Sequence, residues 1–338
     1  MMLGMVDSQS APAKSPAALG IDVGGHGIRA VLVDAAGTVL KADQLTLHGE
    51  AERSLVSVED KIVGLVEQLE GGPGTTTAER LPLPVGIGIP GFQDRHDQVI
   101  RSSPNFPGWV DIPVGQRLSE RLGRPVSVEN DANCALLGEA WVGAARAVQD
   151  VVLLTLGTGV GTGFLVGGTL VRGQRGAAGE GGHITLHPNG RSCGCGRLGC
   201  LETYASGPGL VATARELWSS DKDSDGDGPT TAQSLFLQVS QGSTPALKAM
   251  ERWCDDLGRG LASLIHIFAP GAVVLSGGIT ANFPLFQEPL ERAVLRHAIP
   301  ACVHGLLPLR CSELGRVAGA VGAAFAALNP DRPPTPSP

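Results

Sequence analysis

Aromatic side chains are scarce: one Tyr, four Trp and eight Phe stand against 48 Gly in 338 residues. Such a chain relies on tight turns and backbone-lined sites rather than on aromatic pockets. A basic surplus is also missing. The 26 Lys and Arg against 33 Asp and Glu leave a net charge of -7, which argues against a general nucleic-acid-binding face. No apolar run reaches the length of a membrane span. Residues 1–18, MMLGMVDSQSAPAKSPAA, lack the continuous apolar stretch of a signal peptide and read as a disordered lead-in. The tail 329–338, NPDRPPTPSP, reads the same way. The seven cysteines are odd in number and three of them cluster. That is a poor disulfide framework and fits a reducing compartment with a metal site, so the cytoplasm is the expected location.

What is present is a strand theme stated twice. Leu19-Gly20-Ile21-Asp22-Val23, then Gly24-Gly25, then the run from Ile28 to Asp34 reads as two β runs joined by a Gly-rich turn. Val151 to Leu156, then the turn Gly157-Thr158-Gly159-Val160-Gly161-Thr162-Gly163, then Phe164-Leu165-Val166 repeats it. Apolar residues at Leu55, Val58, Ile62, Leu65, Val66 and Leu69 have a helical period. Further helices are expected over 132–142, 209–218, 246–268 and 283–297, with strands over 84–89, 126–128 and 273–275. The run 318–327 is a helix of small residues that can pack closely on a neighbour. The order is that of a mixed α/β chain, two related halves facing a cleft.

Glycine turns let backbone N–H groups converge on phosphate oxygens. Three are candidates: Gly24-Gly25, Gly157 to Gly163, and Gly277-Gly278. None has the Gly-Lys-Ser/Thr ending of a P-loop, nor opens a helix as a dinucleotide fingerprint does. Each alone fits a tight hairpin equally well; three across two halves favour a nucleotide cradle. Asp22, just before the first turn, could orient Mg²⁺ through water or serve as a turn-stabilising acceptor.

Cys193, Cys195 and Cys200 present three thiols within eight residues, with His183 ten residues upstream. Three Cys and one His can complete a tetrahedral Zn²⁺ site; because the spacing is not that of a zinc finger, a chance cluster or redox chemistry is the alternative reading. With four protein ligands the site is structural. Glu180 and Glu202 flank this loop; either alone reads as a solvated surface glutamate, but together, held in fixed directions by the loop, they suit bidentate recognition of sugar hydroxyls. Asp131 sits at a strand-to-helix junction, where an N-cap and a general base are equally open readings. Asp221-Lys222-Asp223-Ser224-Asp225-Gly226 copies the start of an EF-hand loop, but the twelfth position is Ala232, not Glu. It reads as an acidic surface loop.

These motifs resemble the ROK family (repressors, open reading frames and sugar kinases). The carrying segments are GIDVGGHGIRAVLVD from Gly20, ENDANCA from Glu129, LGTGVGTG from Leu156, GEGGH from Gly179 and CGCGRLGCLETYASG from Cys193. They follow the family's order over residues 19–328. The resemblance implies an α/β chain of the actin-like ATPase (ribonuclease H-like) fold, two lobes around a cleft. The small lobe would span 19–131, with helix 317–328 packing back on it; the large lobe would span 132–316 and carry the zinc loop 183–200.

By the same resemblance Asp131 is the catalytic base that deprotonates a sugar 6-hydroxyl for attack on the γ-phosphate. Gly91, Asn105, Asn130, Glu180, His183 and Glu202 match sugar-binding positions, together with Asp131. His183, Cys193, Cys195 and Cys200 match the zinc ligands, so His183 would serve both zinc and sugar. Asp22, Gly24, Gly25, His26 and Gly27, then Gly157, Thr158, Gly159 and Gly161, match the nucleotide loops, and Gly277-Gly278 lies where adenosine packs. The implied activity is phosphorylation of a hexose by ATP with Mg²⁺, glucose first; N-acetylglucosamine or N-acetylmannosamine are the alternatives. A homodimer or homotetramer is implied as well. A sugar-sensing repressor of the family carries a winged-helix domain ahead of the first glycine loop, and eighteen residues before Leu19 are too few for one. One departure touches the phosphoryl donor. The family's Asp-x-Gly-Gly-Thr-Lys has His26 and Gly27 in the last two positions here, and family members that use polyphosphate also have Gly at the second of these.

Overall fold

The apolar runs on either side of the first glycines form strands β1 (Pro16–Gly24) and β2 (Gly27–Asp34), joined through Gly25 and His26. The computed structural model describes residues 15–71, 82–94, 98–103, 105–106, 108–220 and 228–330. After β3 (Val39–Thr46) the helical period expected from Leu55 onward becomes α1 (Leu55–Glu70), capped by the Ser54 hydroxyl. Its buried face is Val58, Ile62, Leu65, Val66 and Leu69. Strand β4 (Val85–Ile89) is buried throughout, as a strand covered on both faces must be. A small three-stranded sheet follows, β5 (Phe92–Asp94), β6 (Val99–Ser102) and β7 (Val110–Ile112), then α2 (Val114–Leu122) and β8 (Val126–Asn130). The sequence reading did not anticipate this three-stranded sheet or α2.

The second half opens with α3 (Asp131–Val142), β9 (Val151–Leu156), β10 (Val160–Val166) and β11 (Thr169–Leu170). The glycine turn expected over 157–163 is shorter than that, because residues 160–163 already pair in β10. Helices α4 (Glu202–Ala205), α5 (Gly207–Ser220), α6 (Ala232–Ser240) and α7 (Thr244–Phe268) lead to β12 (Ala272–Ser276). Then come α8 (Phe283–His297), α9 (Pro300–Val303), β13 (Arg310–Cys311) and α10 (Ala318–Leu328).

Two five-stranded sheets result, ordered β3-β2-β1-β4-β8 and β11-β10-β9-β12-β13. Each has an antiparallel hairpin and third strand on one side and two parallel strands on the other. The repeated strand theme is thus a repeated topology. One apolar core lies within residues 19–126 and another within 152–309.

The helices that follow the sheets are exchanged. α3 leaves the first sheet and packs on β9 and β10, whereas α10 leaves the second and packs on β1, β2 and β4. Both are buried nearly all round, as a helix between two sheets must be. Where they cross, a Cβ on Gly322 would collide with the carbonyl of Cys134, and one on Gly138 with that of Ala318. The entry into α10 is held by the fully buried Glu139 carboxylate, which accepts from the N–H groups of Ala144 at 2.7 Å, Leu314 at 3.0 Å and Glu313 at 3.2 Å, and from the Ser312 hydroxyl.

Strand β1 begins at Pro16, so residues 16–18 are not part of a disordered lead-in. Ala18 pairs with Val33 and is buried against Ala320, Val321 and Ala324. Its small, weakly β-forming neighbours hid the strand in the sequence. The acidic run 221–226 lies outside the described residues. Among the described residues no helix is long and apolar enough to cross a membrane.

Candidate active site

The two readings of Asp131 separate at once. Asn130 ends β8 in an extended conformation, and its Oδ1 accepts from the N–H groups of Ala132 at 2.9 Å and Asn133 at 3.2 Å. Asn130 is therefore the N-cap, and Asp131, the first residue of α3, keeps its carboxylate for the cleft. Burial pushes the Asp131 carboxyl up to about 6, opposed by the neighbouring backbone N–H of Ala132. Behind this turn Glu129 accepts from the Asn130 N–H at 3.0 Å and from Asn133 Nδ2 at 2.9 Å; its other oxygen accepts from Arg172 Nε at 2.6 Å. The remaining donor of Asn130, Nδ2, lies 3.5 Å from the carbonyl of Gly91, a residue whose φ of 137° suits glycine.

Below the first glycine turn, Asp22 on β1 faces Arg29 on β2 across the hairpin register, with Nη1 and Oδ2 3.6 Å apart. Burial first, and the Asp131 carboxylate second, push the Asp22 carboxyl up to about 7; Arg29 opposes both. Two desolvated carboxylates so weakly compensated are a donor set that a divalent cation such as Mg²⁺ fits. Asn105 packs against Gly25.

The third side of the cleft is the loop after β11. Thr162 on β10 donates to the carbonyl of Gly179 and accepts from the N–H of Gly181 at 2.7 Å, bracing the turn that carries Glu180 and His183. Burial also lifts the Glu180 carboxyl, with His183 opposing. Glu202, at the start of α4, has one oxygen held by the Val160 N–H at 3.0 Å. Gly159 leaves room for it, since a Cβ there would push that oxygen aside. The sequence reading gave Glu202 a bidentate part in recognising sugar hydroxyls. One Glu202 oxygen already carries this backbone bond, and the other lies 3.7 Å from Cys193 Sγ.

His183, Cys193, Cys195 and Cys200 bring four donor atoms within 4.8 Å of one another. Cys193 Sγ is 3.6 Å from His183 Nδ1, and Cys195 Sγ is 3.6 Å from Cys200 Sγ. A tetrahedral zinc with ordinary bond lengths has S···N edges of about 3.6 Å and S···S edges of about 3.8 Å. Donor set and spacing both fit that ion. With Nδ1 turned to the sulfurs, Nε2 of His183 points the other way, 3.9 Å from Glu180 Oε2.

These elements enclose a cleft of about 400 Å³. It is lined by Gly24, Gly25, His26 and Gly27 from the first turn, Gly157, Thr158, Gly159 and Gly161 from the second, and Gly277-Gly278 after β12. Gly91, Asn105, Asn130, Asp131, Glu180, His183 and Glu202 line it too. Asp22 lies beneath this lining, and the cysteines stand behind it. Two features escaped the sequence reading. Arg29 lines the cleft, although a basic residue inside a strand run carries no local signal. Beside the second turn opens a recess of about 590 Å³, where Pro208 and Val211 of α5, Phe236 of α6 and Ile279 meet Gly157, Thr158 and Gly278. Segments distant in sequence, from Gly157 to Asn282, build it.

A glucokinase of Thermotoga maritima is 36% identical over 312 residues, 90% of this chain and 95% of that protein. The crystal structure of a ROK family glucokinase from Streptomyces griseus, in complex with glucose and AMPPNP, is 32% identical. It superposes with a TM-score of 0.75 over 92% of this chain and 98% of that one. The xylose repressor of Bacillus subtilis is 30% identical over 91% of this chain and 76% of the repressor. The duplicated sheet topology and these likenesses agree on the actin-like ATPase fold. The ROK family model matches residues 18–329, and the chain belongs to the ROK family.

Proposed function

We propose that this protein transfers the γ-phosphoryl group of ATP to the 6-hydroxyl of glucose. The observation that carries the reading is the Asp131 carboxylate: released from capping by Asn130, held near 6, and set in a cleft that also contains two glycine turns. A group of that acidity is ionised at neutral pH and basic enough to take a hydroxyl proton as the oxygen attacks phosphorus. Glucokinases among the chain's relatives support glucose as the acceptor.

In this reading Asn130, Gly91, Asn105, Glu180, His183 and Glu202 hold the sugar, with Nε2 of His183 and the less engaged oxygen of Glu202 turned to its hydroxyls. Gly24, Gly25, His26, Gly27, Gly157, Thr158, Gly159 and Gly161 cradle the phosphates. The apolar recess beside Gly277-Gly278 takes the nucleoside. Asp22 would hold Mg²⁺ through water; that ion supplies charge neutralisation for the phosphate oxygens. His183, Cys193, Cys195 and Cys200 would hold a structural Zn²⁺ that stiffens the loop carrying the sugar-binding groups. The two sheets act as lobes divided at Asn130-Asp131, small at 19–131 with 317–328 and large at 132–316. Their closure excludes water, the competing acceptor. A cytoplasmic homodimer or homotetramer belongs to the same reading, and light scattering of the purified protein tests the assembly.

The likeness to a xylose repressor supports a second reading, sugar sensing without turnover. ADP release separates the two. The assay covers glucose, mannose, fructose, N-acetylglucosamine and N-acetylmannosamine, with ATP and Mg²⁺ or with polyphosphate. Glucose with ATP is expected to give the fastest turnover; silence with every pair would remove the kinase reading.

A further inference from the structure

The cleft is poor in positive charge for a site that would bind a nucleoside triphosphate. Asp131, Glu180 and Glu202 line it and Asp22 lies beneath, whereas Arg29 is the one Lys or Arg of its lining among the described residues. The first turn offers no cation of its own. A Cβ on Gly27 would lie 2.6 Å from the carbonyl oxygen of Leu45 on β3, so a side chain at that position is excluded without backbone movement. Residues two apart on a strand share a face, so the next side chain on the Gly27 face of β2 is Arg29. Its side chain is one-third exposed, and its guanidinium makes a single loose ion pair, 3.6 Å to Asp22. Its buried Nε has no hydrogen-bond partner. A cation with unspent donors, fixed at the base of a glycine turn and open to the cleft, is built to receive an anion.

We propose that Arg29 is a catalytic residue that binds the terminal phosphoryl group of the donor and stabilises the charge on its oxygens during transfer. This rests on the kinase reading above. Asp22, facing Arg29 across the hairpin, then serves two partners. It keeps the guanidinium aimed at the cleft while the donor is absent, and it is freed for Mg²⁺ when the phosphates take the guanidinium over. The arrangement explains how a first turn reading Gly-Gly-His-Gly can serve phosphoryl transfer without the usual Lys. The cation is supplied two residues later from the same strand face.

Arg29→Met and Arg29→Lys test it. Arg29→Met is expected to lower kcat by roughly 10²-fold or more, the usual loss for one transition-state donor, with sugar affinity unchanged. Arg29→Lys should recover part of that loss. Equilibrium binding gives the reading that a structural role would not move. Arg29→Met should weaken a non-hydrolysable ATP analogue with Mg²⁺ and leave AMP, which lacks the terminal phosphates, as in wild type. Turnover within a few-fold of wild type, or equal weakening of the analogue and AMP, would overturn the proposal. If wild type releases no ADP with any sugar, the kinase reading fails instead, and the analogue-against-AMP comparison still decides Arg29. If polyphosphate is the better donor, the Arg29→Met loss should follow polyphosphate turnover.

Discussion

Replacing Asp131 by Asn should move activity and stability in opposite directions, and the structure sizes both. The amide keeps the shape and leaves the α3 cap untouched, because the cap belongs to Asn130. It cannot accept a proton, so kcat should fall roughly 10²- to 10⁴-fold, the range for a lost general base. The same carboxyl sits near 6 in the folded chain against 3.8 for a free aspartate. Between those values the folded chain retains a proton that the unfolded chain has released. Wild type therefore loses stability as pH rises through that window, by about 3 kcal/mol once both states are ionised. Asp131→Asn removes the loss. Its stability should match wild type near pH 4 and exceed it by up to about 3 kcal/mol at pH 8, or roughly 4–5 °C in Tm for a chain of this size. Thermal denaturation across that pH range, with turnover and glucose binding measured alongside, reads all three quantities. Unchanged turnover would remove Asp131 as the base. A variant less stable than wild type at pH 8 would show that the carboxylate is not the desolvated, strained group described above.

Other outcomes follow from the same geometry. In wild type, kcat/KM should fall as pH drops through about 6, because a protonated Asp131 cannot act as base; a flat profile down to pH 5 contradicts this. Purified protein should carry about one zinc per chain by the four-ligand count. Cys195→Ser should lose the metal, lower Tm and raise KM for sugar, whereas full activity at zero zinc would refute the role. Gly322→Val drives a side chain into the Cys134 carbonyl at the α3–α10 crossing and should cost about 1–3 kcal/mol or more in urea denaturation. Gly64→Ala, on the exposed side of α1 with open space around it, should instead stabilise by about 0.5–1 kcal/mol.

Much of the site was legible because its chemistry is local. Cys193, Cys195 and Cys200 stand close in the chain, so their spacing alone suggests a candidate metal loop, and His183 comes ten residues before. The first two glycine turns each lie between two β runs that identify them, and the six apolar positions of α1 mark a helix by period. The strand theme repeated at residue 151 already contained the duplication that became two sheets of one topology. Other features depend on partners far apart in sequence. Ala18 is a strand residue because Val33 pairs with it and α10 covers it. The Asp131 carboxylate is left out of the α3 cap because Asn130 holds it, a choice between adjacent residues that backbone geometry makes.

By itself, then, the sequence determined the alternation of strands and helices, the four candidate metal ligands His183, Cys193, Cys195 and Cys200, and the residue types that line the cleft. Only the tertiary structure decided that α3 and α10 exchange sheets, that Glu202 shares an oxygen with the Val160 N–H, and that Arg29 stands in the cleft with donors to spare. Periodicity and spacing record what a chain does within a few residues. Charge compensation, desolvation and steric room are set by atoms that meet only when distant segments pack.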